Sequence, residues 1–591
     1  MVDQSPSTKV SIVFSTRLAT AVIQAISLYF LTDAATAPRS WPATDPWLFE
    51  PLFLVSIYVP LLTLLGLGQI RLRPLSAWLF SAAVMVAGLG YHDATRGRVG
   101  AYSGADLFWP WFGLWPTLSA GLFIAHVLVV DAVIERRLVP PYARHYDTAW
   151  KQGVQTVLAA LFVGVFWGVL HLGAGLFKLV DIDYFQRMIA HRWFAYPATT
   201  LALAVAIHVS DVQPALIRGA RTLTLTLLSW LLPLLVAILG GFLLSLPFIS
   251  LAPLWRTHFA TSLLLTTAGL LVFLINCSYQ DGTTERTGSR IKRMAGTTGS
   301  LLMVPLVGLA VWALVLRVGQ YGWTAERVQA AAIIVVAACY AAGYASATIW
   351  ASTWLKRIEV TNFATAYVVL ALILALFSSV ADPARLMVAD QLARLKSGMV
   401  SLEKFDFAAL KFDGARWGAA ALAELSHETG IADAVTVNSK AQQALLMTNR
   451  TVPKPVAPVE VAGRIMVYPA DRTLPTSFFD LQSGPLAGMA NIGCLRAGPM
   501  KCIARFVALH PGEPESIVFI DTFGGSVFQR TPSGQWDKVA QISGLVGCAA
   551  TRDGIASGNF ELDPHPLPDL IVGNQRLVTT TPYQPCPPLS E

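Results

Sequence analysis

Five ionisable residues, and Asp131 with them, stand inside otherwise apolar stretches: Arg17, His126, His171, His208 and Asp211. An ionisable side chain in hydrocarbon is costly, so each is a functional suspect by default. His208 and Asp211 are three apart and share one face of a helix. An imidazole beside a carboxylate suits a proton relay or a metal site. Such a site also needs His126 on a helix facing His208; His126 and Asp131, five apart, do not share a face. The plainer reading is anchoring near helix ends, or an imidazole satisfied by a neighbouring hydroxyl.

His171 lies in GVFWGVLHLGAGLFKLVDIDYF, residues 164–185. Gly164 and Gly168 form a small-xxx-small pair, and Gly173 and Gly175 extend it; small residues let helices approach closely. The segment reads as a tightly packed helix or as a cavity wall with His171 pointing inward. Asp181 and Asp183 at its end suit a cation less well than a solvated loop. Pro116, Pro197, Pro233 and Pro305 mark places where helices can break and line a site. Asn276, Gln280 and Asp281 lie at one span end and Thr361 and Asn362 at another, as a polar mouth or as capping groups.

No catalytic constellation emerges elsewhere. His427, His510 and His565 are far apart. Ser401 and Lys404 match SxxK without its companion motifs. The chain has no Walker A loop, GxSxG, HExxH or Rossmann fingerprint, so no cofactor is expected. Cys494, Cys502, Cys548 and Cys586 all fall in the C-terminal region, and an even number there suggests disulfides. Three pairings are open; nearest neighbours, Cys494–Cys502 with Cys548–Cys586, are preferred. The CxxC pairs that zinc sites favour are missing.

The elements that carry these residues follow from composition. Of 591 residues only 13% are charged and 54% are apolar, against roughly 25% charged in globular chains. Mean hydropathy is +0.54. A cytosolic enzyme, a disordered chain and a small disulfide scaffold are excluded; the chain is expected to be an α-helical polytopic membrane bundle. Eleven spans are expected, at 10–31, 47–68, 75–91, 111–134, 153–177, 195–211, 222–247, 258–279, 298–318, 326–353 and 360–381, most near the roughly 20 residues a bilayer requires. The third and sixth are short. The net charge of +7 resides in short loops and signals no nucleic acid.

The membrane region is expected to end at 381. Short amphipathic helices follow at 384–398, 417–426 and 439–447, within 382–448. Residues 449–460 form a proline-rich linker. Residues 461–591 carry strand patterns at 464–468, 503–509, 516–521, 526–530, 538–542 and 569–572. A small antiparallel β domain is expected there.

Lys and Arg are denser in loops on the N-terminal side, among them Arg136, Arg137, Arg144 and Lys151. By the positive-inside rule the N-terminus is cytoplasmic, and an odd number of spans places the tail outside. Disulfides agree with that side. Ala35-Thr36-Ala37 has the form of a signal-peptidase site, but Pro38 and the long run favour an uncleaved anchor.

The stretches VLHLGAGLFKLVDIDYF (169–185), LINCSYQDG (274–282), QYGWTAERV (320–328) and KFDFAALKFDGARWG (404–418) resemble the bacterial inner-membrane family called domain of unknown function 4153, over roughly residues 10–425. The resemblance implies a polytopic Gram-negative inner-membrane protein and no established activity. Transport or lipid handling through a cavity among the spans is the leading expectation, with membrane lipids as partners. The alternative is an envelope assembly or scaffold protein whose periplasmic domain binds a protein partner. A membrane-embedded lipid or glycan enzyme ranks third.

Overall fold

The structure is a computed structural model. It describes residues 6–36, 38–97, 113–249, 260–282, 289–350, 355–430, 433–447, 463–479, 494, 501–509, 515–520, 525–531, 536–542, 549–560, 570–572 and 575–577. The chain forms two compact units, Met1–Arg450 and Thr451–Glu591.

In the first unit, α1 is Pro6–Ala34, α2 Pro46–Gly66, α3 Leu72–Thr95, α4 Leu114–Glu135 and α5 Tyr142–Lys178. A short α6 (Tyr184–Ala190) leads to α7 (Arg192–Val212) and α8 (Pro214–Ile249). Then come α9 (Ala260–Tyr279), α10 (Arg290–Tyr321), α11 (Ala325–Ile349) and α12 (Ile358–Leu376). All of these except α6 are long and apolar enough to cross a membrane, eleven among the described residues. Each matches one expected span. The two that hydropathy leaves short, α3 and α7, run 24 and 21 residues. They reach full length by taking in polar ends such as His92 and Arg192. The helices continue through Pro197, Pro233 and Pro305, and Pro116 sits in the first turn of α4; none of the four breaks its helix. A proline near a helix start removes only an amide that has no intrahelical partner.

Successive spans alternate in direction. One face of this unit therefore carries the start of α1, and the other, the tail face, carries the ends of α3 and α10. The largest core joins α8 to α12 through Leu232, Leu271, Met303, Ala341 and Phe363. A second packs α2, α3 and α4 through Leu54, Ala82, Val86 and Leu118. A Cβ at Gly90 of α3 would lie 3.2 Å from the backbone of Pro51, so that close crossing favours glycine.

Four further helices close the unit: α13 (Pro383–Lys396), α14 (Phe407–Asp413), α15 (Ala415–Leu425) and α16 (Ala434–Leu446). They share a core of Met387, Leu410, Leu422 and Ala441. The short α14 escapes the sequence pattern, because seven residues hold too few turns to display a period.

The second unit has a five-stranded sheet in the order β1 (Ile465–Tyr468), β2 (Cys502–Val507), β3 (Ser516–Ile520), β4 (Gly525–Arg530) and β5 (Trp536–Ile542). Strands β2 to β5 are antiparallel neighbours, but β1 runs parallel to β2. The expected purely antiparallel sheet is thus a mixed one. A parallel pair needs a crossover, and residues 469–501 between β1 and β2 supply its length. Phe478, Phe519 and Phe528 fill one face. The helix α17 (Ala549–Ser557) packs near β2, where Arg505 donates to the Ala556 carbonyl at 2.7 Å. β6 (Leu570–Val572) and β7 (Gln575–Leu577) form a separate hairpin. Cys494 and Cys502 are joined by a disulfide; Cys548 and Cys586 lie outside the described residues.

Candidate functional site

Three of the five suspects meet at the face where α1 starts. Arg17, 1% exposed, pairs with Asp211 at the end of α7. Its Nε donates to the Leu64 carbonyl at 3.1 Å and its Nη2 to the Leu67 carbonyl at 3.0 Å. Those carbonyls belong to the end of α2, where the helix has no amides left to bond them. Nη1 of Arg17 lies 3.4 Å from Nδ1 of His208. A guanidinium only donates, so Nδ1 accepts and the imidazole proton sits on Nε2. Lys151 of α5 approaches the other Asp211 oxygen at 3.2 Å. The cluster pins α1, α2, α5 and α7 together. The two cations Arg17 and Lys151 share the one carboxylate, and that pairing is what makes the buried guanidinium tolerable.

His126 does not join this cluster. The Trp78 indole donates to its Nδ1 at 3.0 Å, which leaves the proton on Nε2. That Nε2, buried beside Gly66, has no hydrogen-bond partner among the described residues. Asp131 accepts from Thr148 at 2.7 Å and from Nδ1 of His145 at 3.0 Å. Among the described residues no group of three His, Cys, Asp or Glu is placed to hold a metal ion.

His171 is exposed on the outside of α5, its ring 5.7 Å from Trp167. It lines neither of the two cavities described below. A Cβ at Gly164 or Gly168 would meet nothing within 4 Å among the described residues, so this glycine pair packs against none of the described helices. The cause is length: α5 has 37 residues, about 55 Å at 1.5 Å per residue. Its first turns hold the buried Gln152 and Gln155, whereas its second half presents Val165, Val169, Leu172 and Leu176 outward.

The two span ends with asparagines converge rather than cap. Asn362 Nδ2 donates to Asn276 Oδ1 at 2.7 Å and to the Tyr142 hydroxyl at 2.9 Å. Asn276 Nδ2 donates to the Tyr344 hydroxyl at 2.6 Å, and that hydroxyl donates to Asn362 Oδ1 at 2.7 Å. This closed ring ties α5, α9, α11 and α12 at the same face as Arg17. It is a fully satisfied polar lock rather than a mouth.

The open space lies at the tail face. A cavity of about 1000 Å³ sits among the start of α9, the end of α10 and the start of α11, with Thr261, Arg317, Tyr321, Arg327 and Gln329 on its walls. Beside it, between α4, α11 and α12, runs a cavity of about 570 Å³ with walls of Ala120, Val336, Val369 and Leu372. Gln329 and Ile333 line both. The turn over the first cavity is held by α13. The Trp323 amide donates to Asp390 at 2.8 Å, and Arg394 Nη2 donates to the Val318 carbonyl at 2.9 Å. Gly322 has φ +75, and a Cβ there would strike Asp390, Gln391 and Arg394.

Sequence reasoning passed over Arg317 and Arg327, which look like ordinary loop cations. Their signal is that both flank Tyr321 in RVGQYGWTAER, residues 317–327. It also passed over the buried Glu50, Gln24, Gln152 and Gln155. Ser401 and Lys404 close a turn through the Lys404 amide, 2.9 Å from the Ser401 carbonyl.

No curated protein and no solved structure matches the chain. The family model described as domain of unknown function (DUF4153) matches residues 19–421. That span holds every membrane-crossing helix but the first turns of α1, together with the polar cluster except Arg17, the asparagine–tyrosine lock and both cavities. The chain is a member of the DUF4153 family.

Proposed function

We propose that this multi-pass membrane protein binds and handles an amphiphile, a membrane lipid, at the tail face. One observation carries the reading: a cavity with polar and cationic walls and an apolar cavity share Gln329 and Ile333. A headgroup and a hydrocarbon chain need such neighbouring environments. The cationic walls lie at span ends and the apolar walls further along α11 and α12, which is the depth order of a lipid. Transport through the histidines finds no such support, since His208 accepts from Arg17 and Asp211 is paired with both Arg17 and Lys151.

In this reading the protein resides in a bacterial inner membrane with its N-terminus cytoplasmic. The tail helices and the β unit are then periplasmic. The loop charges and the Cys494–Cys502 disulfide support that side.

The experiment is native mass spectrometry of the full-length protein released from mild detergent, beside Val336→Trp, which fills the apolar cavity. A retained lipid in the parent that is lost in the variant is the expected result. If the two proteins retain lipid equally, the cavities are not the site. A stoichiometric protein that co-purifies in place of lipid favours the scaffold reading.

A further inference from the structure

The amphiphile reading above leaves the headgroup open, and the charges around the larger cavity narrow it. The guanidinium carbons of Arg317 and Arg327 lie 6.0 and 5.6 Å from the centre of the same ring, that of Tyr321. The two arginines come from different helices, the end of α10 and the start of α11, and both line the cavity. Glu326 is the one carboxylate among its described walls. The wall charge is therefore net positive.

A helix C-terminus ordinarily adds negative character, which would repel an anion. At the end of α10 that character is already neutralised. Arg394 donates to the Val318 and Gly319 carbonyls at 2.9 and 3.1 Å. Gln391 donates to the Tyr321 and Trp323 carbonyls at 3.2 and 3.0 Å. Arg327 Nη1 donates to the Gly322 carbonyl at 2.5 Å. That last bond fixes the direction of the Arg327 fork while leaving most of its five donors for a ligand. Next to it α11 begins with a Thr324 side-chain cap on the Arg327 amide, so the positive end of that helix faces the same region.

We propose that the cavity selects a phospholipid of net negative charge, its phosphate held by Arg317 and Arg327 and an acyl chain in the adjoining apolar cavity. Arginine suits this role because its planar fork matches phosphate oxygens.

The test titrates short-chain phosphatidylglycerol and phosphatidylcholine into the full-length protein in detergent, with Kd read by native mass spectrometry. The parent protein is expected to prefer phosphatidylglycerol by about tenfold, the scale of one charge-assisted hydrogen bond. Arg317→Gln leaves the Arg327 bond to Gly322 intact; it is expected to weaken both lipids, since both carry a phosphate, and phosphatidylglycerol more, so that the preference falls. Arg317→Lys, which keeps the charge, is expected to retain part of it. Equal affinity for the two lipids in the parent overturns the headgroup inference, as does unchanged affinity for both lipids in Arg317→Gln. Full displacement of phosphatidylglycerol by inorganic phosphate overturns the lipid as ligand and assigns the site to free phosphate. Val336→Trp separates the two levels: if it binds both lipids as the parent does, the amphiphile reading itself fails.

Discussion

His92, in the last turn of α3, donates from Nε2 to Asp382 Oδ2 at 2.9 Å across 290 positions of chain. Asp382 is also the cap of α13, with the Ala384 amide 2.9 Å from its Oδ1, and it accepts from Arg96 Nη2 at 3.1 Å. One buried carboxylate thus starts the tail helices and fastens them to the membrane bundle. The link is doubled nearby: the Arg416 amide donates to the Arg96 carbonyl at 2.6 Å, and the Trp417 ring lies 6.2 Å from that of His92.

Replacing Asp382 with alanine removes the cap and leaves Arg96 without this counter-charge. Breaking a buried pair by deleting one partner costs about 3–5 kcal/mol, and the lost cap alone accounts for about 1 kcal/mol of it. Asp382→Ala is expected to lower the thermal midpoint in detergent and to open residues 397–406 to protease. A midpoint equal to the parent's refutes the fastening role.

The same carboxylate sets a pH response. Burial alone would raise the Asp382 carboxyl, but the His92 hydrogen bond, the Arg96 charge and the Ala384 amide together hold it below its ordinary value. A depressed carboxylate contributes stability that is present above its unfolded pKa, about 3.9, and is lost as pH falls through the folded pKa. Attachment of the tail helices is therefore expected to be constant from neutral pH down to about 4 and to fail below it. Proteolysis of the tail that begins at pH 6 contradicts this.

The Arg17–Asp211 pair makes a charge prediction. Asp211→Leu strands a guanidinium that is 1% exposed and is expected to cost about 3–5 kcal/mol. Adding Arg17→Met removes the stranded charge and recovers part of the loss, though the Leu64 and Leu67 carbonyls then lack their donor. A double-mutant cycle on unfolding midpoints measures the coupling, and purely additive effects refute a direct pair.

The spans were legible because hydropathy depends on neighbours in sequence, whereas the meeting of Arg17 with Asp211 joins residues 194 apart. His208 and Asp211 were visible as a face of one helix; nothing in their spacing announced that an arginine of α1 would fill it. Asn276 and Asn362 were visible as polar span ends, but their ring needs Tyr142, which precedes its expected span, and Tyr344, one aromatic among others within a span. In the β unit, the strand pattern located six strands, β1 to β6. It did not give the parallel pairing of β1 with β2, since the period within a strand is blind to the direction of its neighbour.

His171 distinguishes an exposed histidine from a working one. Because its side chain is exposed and meets only Trp167 among the rings, His171→Leu is expected to shift stability by no more than about 0.5 kcal/mol. Lipid retention should match that of the parent. Loss of lipid in His171→Leu, with the thermal midpoint intact, would return this residue to the site.

The Cys494–Cys502 disulfide closes a loop with a sequence separation of 8. Chain-entropy arguments give such a loop about 2.5 kcal/mol of stabilisation. Both cysteines are buried in the core that holds Phe478 and Phe519, so the bridge also fixes the start of β2 against residues that precede it. Cys494→Ser with Cys502→Ser is expected to lower the unfolding midpoint of the β unit and to leave that of the membrane unit unchanged, because the chain divides at Arg450. Two transitions followed by hydrogen exchange test both halves of the statement. A shift in the membrane unit's own transition would mean that the two units unfold together.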